Sequence, residues 1–423
     1  MVDLPMRRLA EVLRQTSLVR YLGHLEEQFP TGHLKDLLID EVGPGRMIRV
    51  GDRWVVNFGS DSFLGLDQDP RVHDALLRGI RRWGTHSGAS RAFASIRSNA
   101  EAEDRLARWL GTEAALIYPS VMLANLGALP GLVGRPDLLV VEDQAHHSIQ
   151  EGAKIARAGG ARQAAFSQED PHSLEHALQR ARPYRCAVVA LDGVSSMSGR
   201  LPPLAELDAV ARRHDAILYV DDAHGTGVLG PRGRGIVPEA LGSLDNVLVV
   251  GSLSKALSCA GGFIGCTGEF KRLLKIRSST YIFGGPVPPP YLEAICTVLD
   301  ILDSEEYQPL RDRLDRNIRR LTEGLARFGL AVLGSLVPIV CILVGGEEET
   351  LEAGRLLFER GYYVQSVAFP AVPYHAGVLR IQVNANHSPE AIDGLLEALV
   401  GLRELISPPR RPVGGQLDGP TSE

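Results

Sequence analysis

The sequence predicts an α/β protein whose central sheet is mainly parallel, with helices on both faces, and a smaller C-terminal α+β domain. Two patterns carry this reading. From about residue 70 to 265, short apolar runs alternate with amphipathic stretches. The runs are rich in β-branched residues and nearly continuous in hydrophobicity, as strands buried on both faces require. Strands that alternate with helices imply βαβ crossovers, hence parallel pairing.

Residues 1–57 read as a partly amphipathic helical arm leading to Gly43-Pro44-Gly45, then a hairpin turning at Gly51-Asp52 between Met47–Val50 and the run from Trp54. A large domain follows over 58–300. Its helix candidates are 70–83, 99–110, 148–158, 172–182 and 204–213, and its strand candidates are 138–142, 186–192, 216–221, 246–252 and 262–266. A long helix opens near Pro288-Pro289-Pro290. The smaller domain, 301–406, begins with a helix over 308–328 that lines up Leu310, Leu314, Ile318, Leu321 and Leu325 on one stripe. Strand 337–344, a helix near 348–360, strands 362–367 and 378–383, and a helix 388–404 opened by a Ser388-Pro389 cap complete it. Residues 407–423 are rich in proline, glycine and polar residues and are expected to be disordered.

The bulk numbers narrow the function classes. Apolar content of 44% and charged content of 23% are ordinary for a globular enzyme, and a net charge of −6 supplies no basic stripe for nucleic acid. No uninterrupted apolar stretch reaches the length of a membrane span, and no apolar leader is evident. The five cysteines are odd in number and contain no C-x-x-C; they read as thiols in a reducing compartment, so a cytoplasmic enzyme is expected. Zinc-ligand spacings are absent, and no metal site is read.

Lysine is scarce, and its placement is informative. Of 45 basic residues only Lys35, Lys154, Lys255, Lys271 and Lys275 are lysines, leaving forty arginines. Lys154, Lys271 and Lys275 lie in polar helical stretches and read as solvated surface. Lys255 alone follows a buried-type strand, Val247-Leu248-Val249-Val250, and precedes the small-residue loop Ser258-Cys259-Ala260-Gly261-Gly262. About thirty residues upstream another apolar run ends in Asp221-Asp222-Ala223-His224. In parallel sheets ligands sit at the carboxyl ends of strands. An amine there can capture an aldehyde cofactor, and a carboxylate can keep a pyridine nitrogen protonated. The pattern therefore points to pyridoxal 5′-phosphate. A surface loop lysine and a turn-capping aspartate are the bland alternatives.

Several further segments carry a family resemblance. They are Asn57-Phe58-Gly59-Ser60 with Phe63-Leu64-Gly65-Leu66, Ser87-Gly88-Ala89-Ser90-Arg91, His146-His147-Ser148-Ile149, Asp192-Gly193-Val194 with Ser196-Met197, Asp221 through Gly230, Ser254-Lys255-Ala256, and Leu379-Arg380-Ile381. In this order and spacing, over roughly 35–405, the chain resembles the α-oxoamine synthases, pyridoxal-phosphate enzymes of fold type I. The resemblance implies a C-acyltransferase that condenses an amino acid with an acyl thioester, carried by CoA or an acyl carrier protein. Loss of carbon dioxide would then give an α-amino ketone. It also implies a homodimer. An aminotransferase or aldol-type lyase of the same fold is the alternative within enzymes; a non-catalytic partner subunit is the alternative outside them. The presence of Lys255, Asp221 and His224 speaks against the latter.

The resemblance also distributes roles. Lys255 would bind the cofactor, Asp221 its ring nitrogen, and His224 with Ser196 its phenolic oxygen. His146 would stack on the ring; its neighbour His147 competes for that place, and Ser148-Ile149 sets the register. Ser120, Val121 and Met122 occupy the phosphate turn, with Ser252 a further phosphate ligand. Arg380 would grip the substrate carboxylate. Three places depart from the family. Val121 and Met122 replace a glycine and an aromatic residue, and Gly284-Gly285 replaces a Ser-Thr pair. Asp61 stands beside the amino-acid substrate, where many members carry asparagine and others tyrosine. An acid there points to substrates of the chain's own.

Overall fold

The computed structural model describes residues 5–29 and 37–406. Lys35 and the tail expected over 407–423 lie outside the described residues. The chain divides into two compact units, one over 61–316 and one made of 1–60 with 317–423.

The larger unit is built on a seven-stranded sheet among the described residues. In chain order its strands are β1 (Ala114–Tyr118), β2 (Leu138–Glu142), β3 (Arg162–Phe166), β4 (Ala187–Asp192), β5 (Ala216–Asp221), β6 (Val247–Ser252) and β7 (Gly262–Cys266). They are ordered β1-β7-β6-β5-β4-β2-β3, and β7 alone runs against the rest. The middle strands bury both faces because alternate side chains point to opposite sides and both sets are apolar. On one side Tyr219, Val250 and Ile264 pack with Ala124, Leu129, Ile149 and Ala153 from helices Val121–Leu132 and His147–Ala158. Each of the buried Val, Leu and Ile side chains among these contributes about 1.5–3 kcal/mol.

Local chemistry sets the element ends. Helix Pro70–Trp83 starts where the Asp69 carboxylate accepts the Arg71 N–H at 2.9 Å, and stops at Gly84, whose φ of 76° a residue with Cβ rarely adopts. Helix Arg97–Leu110 is pinned to β1 by a buried ion cluster. Arg91 reaches Glu103 at 2.8 Å and the Ile117 carbonyl at 2.9 Å, Glu103 accepts the Ile117 N–H at 3.0 Å, and Lys271 closes on Glu103 at 2.9 Å. Lys271 is thus drawn inward rather than solvated, because the second oxygen of a buried carboxylate needs a partner.

The smaller unit holds an antiparallel sheet with Ile339–Gly345 and Gly377–Gln382 at its centre and Val332–Leu333 and Gln365–Val367 at its edges. Helices Glu347–Glu359 and Pro389–Val400 belong to it, the second opened by the Ser388 hydroxyl accepting the Ala391 N–H at 3.2 Å. The hairpin Met47–Val50 with Arg53–Asn57 joins this unit through parallel pairing of Val56 and Asn57 with Tyr362 and Tyr363.

Candidate active site

Asp221 is the last residue of β5 and is 5% exposed. Its Oδ1 accepts the Ala223 N–H at 3.2 Å, and its Oδ2 accepts from Asn125 Nδ2 at 2.7 Å. The next residue faces the other way. Asp222 is fully buried and accepts the Ile236 N–H on Oδ2 at 2.7 Å. A Cβ on Gly225 would stand 2.0 Å from its Oδ1, and one on Gly235 1.9 Å from its Oδ2. Burial pushes the Asp222 carboxyl well above the usual carboxylate range. Of the two adjacent aspartates, Asp222 is a strut held among backbone and glycines, while Asp221 turns to Asn125 and the Ala223 N–H.

Lys255 sits in the loop after β6, with Nζ 2.7 Å from Nε2 of His224. The Phe63 ring lies 6.3 Å from the His224 ring. The loop is shaped by Ser258, which has a φ of 53° and donates its N–H to the Lys255 carbonyl at 2.8 Å. Ser62 Oγ is 2.5 Å from Asp67 Oδ1 and 2.6 Å from Ser258 Oγ. An ionised carboxylate only accepts, so Ser62 donates to Asp67 and Ser258 donates to Ser62. The segment that carries Asp61 is thereby tied to the lysine loop. Asp61 itself is half-buried, its carbonyl accepting the Phe63 N–H at 2.8 Å.

His146 caps helix His147–Ala158 and turns Nδ1 onto buried Ser148, 2.7 Å from its hydroxyl. Its backbone N–H donates to Asp192 Oδ2 at 3.0 Å. Asp192 pairs in register with Asp221 on the neighbouring strand. Burial first, and then the charge of Asp221, push its carboxyl well above the usual range. The outer side of His146 is exposed, yet the protein packed around it depresses its pKa; Asp221 opposes that shift and Lys255 adds to it. His147 instead points outward, 3.6 Å from Glu151.

Ser120 is the N-cap of helix Val121–Leu132 and its hydroxyl accepts the Leu123 N–H at 3.1 Å. The first helical amides, those of Val121 and Met122, have no partner within the helix, which suits an anion. Gly262 of β7 passes so close that a Cβ there would lie 2.5 Å from Val121 N. Ser252, fully buried at the end of β6, accepts the Ser254 N–H at 3.1 Å. Ser196 is half-buried in the turn after β4. A buried carboxylate, an amine beside an imidazole, and a tight amide-lined turn are the donor and acceptor set that pyridoxal phosphate needs.

The structure brings Lys255 and His224 together directly. It joins Asp221 to His146 through Asn125 and Ser148. Arg380 belongs to the smaller unit, where it is 5% exposed on strand Gly377–Gln382 and donates to Gln365 Oε1 at 2.8 Å. Sequence reasoning missed Asn125, Ser62, Tyr219 and the role of Asp192. A polar residue inside the apolar helix Val121–Leu132 was the available signal for Asn125.

Comparison with known proteins bears on this site. Residues 53–399 match the family model "Aminotransferase class I and II". The chain is 36% identical over 378 residues to 8-amino-7-oxononanoate synthase of Geobacter sulfurreducens, spanning 89% of this chain and 96% of that one. It is 40% identical over 347 residues to the enzyme of that name from Methylococcus capsulatus, spanning 81% and 88%. Among solved structures, Sphingomonas wittichii serine palmitoyltransferase superposes with a TM-score of 0.85 at 27% identity, over 92% of this chain and 97% of that one. No helix among the described residues is long and apolar enough to cross a membrane.

Proposed function

Because the chain belongs to the α-oxoamine synthases, fold type I enzymes within the class I and II aminotransferase family, we propose how its own residues carry out the family's chemistry. The activity is pyridoxal-phosphate-dependent C-acyl transfer between an acyl thioester and an amino acid. Bound pyridoxal phosphate supplies an electron sink for negative charge at the amino-acid α-carbon.

Lys255 anchors the cofactor through Nζ and moves the α-proton. Asp221 would pair with the ring nitrogen and keep it protonated. His224 and Ser196 would hold the phenolic oxygen, and His146 would lie against the ring. The amides of Ser120, Val121 and Met122, with Ser252, would hold the phosphate. Arg380 grips the substrate carboxylate in a bidentate pair that fixes one orientation. Asp61 meets the substrate side chain or amine. The observation that carries the reading is the 2.7 Å approach of Lys255 Nζ to His224 Nε2, three residues from buried Asp221.

The amino acid is a small one. The relatives at 36% and 40% identity are named for making 8-amino-7-oxononanoate. Breaking that product between carbons 7 and 8 leaves a seven-carbon acyl group with a distal carboxylate, and alanine less its carboxyl. Asp61 supports a second reading, a hydroxylated amino acid such as serine, whose hydroxyl would donate to the carboxylate. We further propose a homodimer, the commonest closed assembly, in the cytoplasm, where the free thiols of Cys186, Cys259, Cys266, Cys296 and Cys341 stay reduced.

The test is thiol release from an acyl thioester, measured across a panel of amino acids. Lys255→Ala should abolish release while leaving the circular dichroism spectrum unchanged. Turnover within about tenfold of wild type, a barrier change of only about 1.4 kcal/mol, would sink the assignment of Lys255.

A further inference from the structure

Asn125 is fully buried, one turn into the helix that begins at the phosphate turn, and its side chain is hydrogen-bonded to three polar groups. Its amide orientation follows from chemistry. Nδ2 is assigned to the atom 2.7 Å from Asp221 Oδ2 because an ionised carboxylate can only accept. The amide oxygen therefore faces Tyr219, whose hydroxyl donates to it at 2.8 Å. The second N–H of Nδ2 is spent on Ser148 Oγ, also at 2.8 Å. A hydroxyl that accepts there keeps its single proton for another partner, and His146 Nδ1 stands 2.7 Å away. The Ser148 backbone N–H points to the same nitrogen at 3.3 Å. Nδ1 thus faces two donors and carries no proton. A neutral imidazole must then hold its proton on Nε2.

The reverse arrangement fails at two places. Turning the Asn125 amide over would require a protonated Asp221, and a proton on Nδ1 would oppose the Ser148 N–H. One direction of hydrogen bonding satisfies every group from Tyr219 to His146.

We propose that Asn125 is a positioning residue for the acyl transfer: through Ser148, its amide couples the ionised carboxylate of Asp221 to the Nε2-protonated tautomer of His146. This rests on the reading above in which Asp221 and His146 flank the cofactor ring. A histidine fixed in this tautomer presents a donor on its exposed side, not a lone pair. It can hold an oxygen of the substrate, but it cannot take the α-proton there, so that proton falls to Lys255. Asn125 also shares the load on Asp221: one of the two hydrogen bonds that this carboxylate accepts comes from it, and bonds to charged groups are among the stronger ones.

The test begins with the wild-type holoenzyme labelled with ¹⁵N-histidine, its His146 signals identified by their loss in His146→Gln. Long-range proton–nitrogen correlation at neutral pH should show Nδ1 bare and Nε2 protonated. A proton on Nδ1 would overturn the proposal without any variant having to fold. Ser148→Ala removes the hydroxyl donor and should let Nδ1 become partly protonated. Asn125→Ala should weaken pyridoxal phosphate binding about tenfold or more, as loss of a charge-assisted hydrogen bond does, read from the cofactor's absorbance on dilution. If Asp221→Asn weakens binding and Asn125→Ala changes neither binding nor tautomer, Asn125 has no positioning role and the site reading stands. If Asp221→Asn also leaves binding unchanged, both fall.

Discussion

His387 makes the smaller unit acid-sensitive, by an amount its surroundings allow to be worked out. The ring is 3% exposed, stacked 3.9 Å from Phe58, and both its nitrogens are in use. Nε2–H donates to the Asn57 carbonyl at 3.0 Å, and Nδ1 accepts the Asn384 N–H at 3.1 Å. Burial pushes its pKa down to about 3, against the opposing pull of the Asn57 carbonyl. In the unfolded chain a histidine titrates near about 6.5. Between these values the unfolded state binds the extra proton, so stability rises with pH through that window and is lost as pH falls from about 6.5 toward 3. At about pH 4.5 the loss is two pKa units at about 1.4 kcal/mol each, or about 3 kcal/mol. Urea unfolding of wild type and His387→Gln, followed by circular dichroism at about pH 7.5 and about pH 4.5, isolates this contribution. The variant should start less stable and lose about 3 kcal/mol less on acidification. Equal losses in the two proteins would refute the argument.

Two other perturbations follow from the larger unit. Glu103→Gln leaves Arg91 and Lys271 without their shared carboxylate in a site where Arg91 and Glu103 are 4% and 2% exposed, and should cost about 3–5 kcal/mol; an unchanged melting temperature would show that the cluster does not hold helix Arg97–Leu110 in place. Asp61→Asn should weaken binding of the native amino acid and restore tolerance for glycine or alanine, because a carboxylate near a substrate carboxylate repels unless a donor intervenes; dissociation constants in an unchanged rank order would mean that Asp61 faces away from the substrate.

Period and hydrophobicity carried most of the large sheet. The strands expected at 138–142, 216–221 and 262–266 are observed with those bounds, and helices 70–83 and 204–213 likewise. Two strands were not legible. Ala114–Tyr118 follows a helix through only Gly111-Thr112-Glu113 and opens with two alanines, so its sequence reads as more helix. It is a strand because it is fully buried beside β7, where tertiary packing outweighs propensity. Arg162–Phe166 is the sheet's edge, and three of its five side chains are exposed. It lacks the double-sided apolar signal for that reason. In the candidate site, the strand-end positions of Asp221 and Ser252 were legible from the apolar runs that lead to them. Asn125, Ser148 and Tyr219 were not, since their roles exist only after three separate elements have packed.

Arg91 and Asp222 show how such motifs should be weighed. Both belong to segments quoted for the family resemblance, and neither faces the cofactor's chemistry. Arg91 is folded onto Glu103 and the Ile117 carbonyl, with its guanidinium 4.8 Å over the Tyr281 ring. Asp222 stands one residue beyond Asp221, and neighbours along an extended chain point to opposite sides. That alternation sends Asp221 toward Asn125 and Asp222 toward Ile236 and its three close glycines, Gly193, Gly225 and Gly235. The glycines are required there because a Cβ at any of them would stand within 2.8 Å of an Asp222 oxygen. The strut fixes the turn that follows β5, the Ala223 N–H in that turn holds Asp221 Oδ1, and His224 next along it meets Lys255. A short motif therefore mixes residues proposed to meet the cofactor with residues that set the backbone carrying them. Burial and hydrogen-bond direction separate the two, where residue type alone does not.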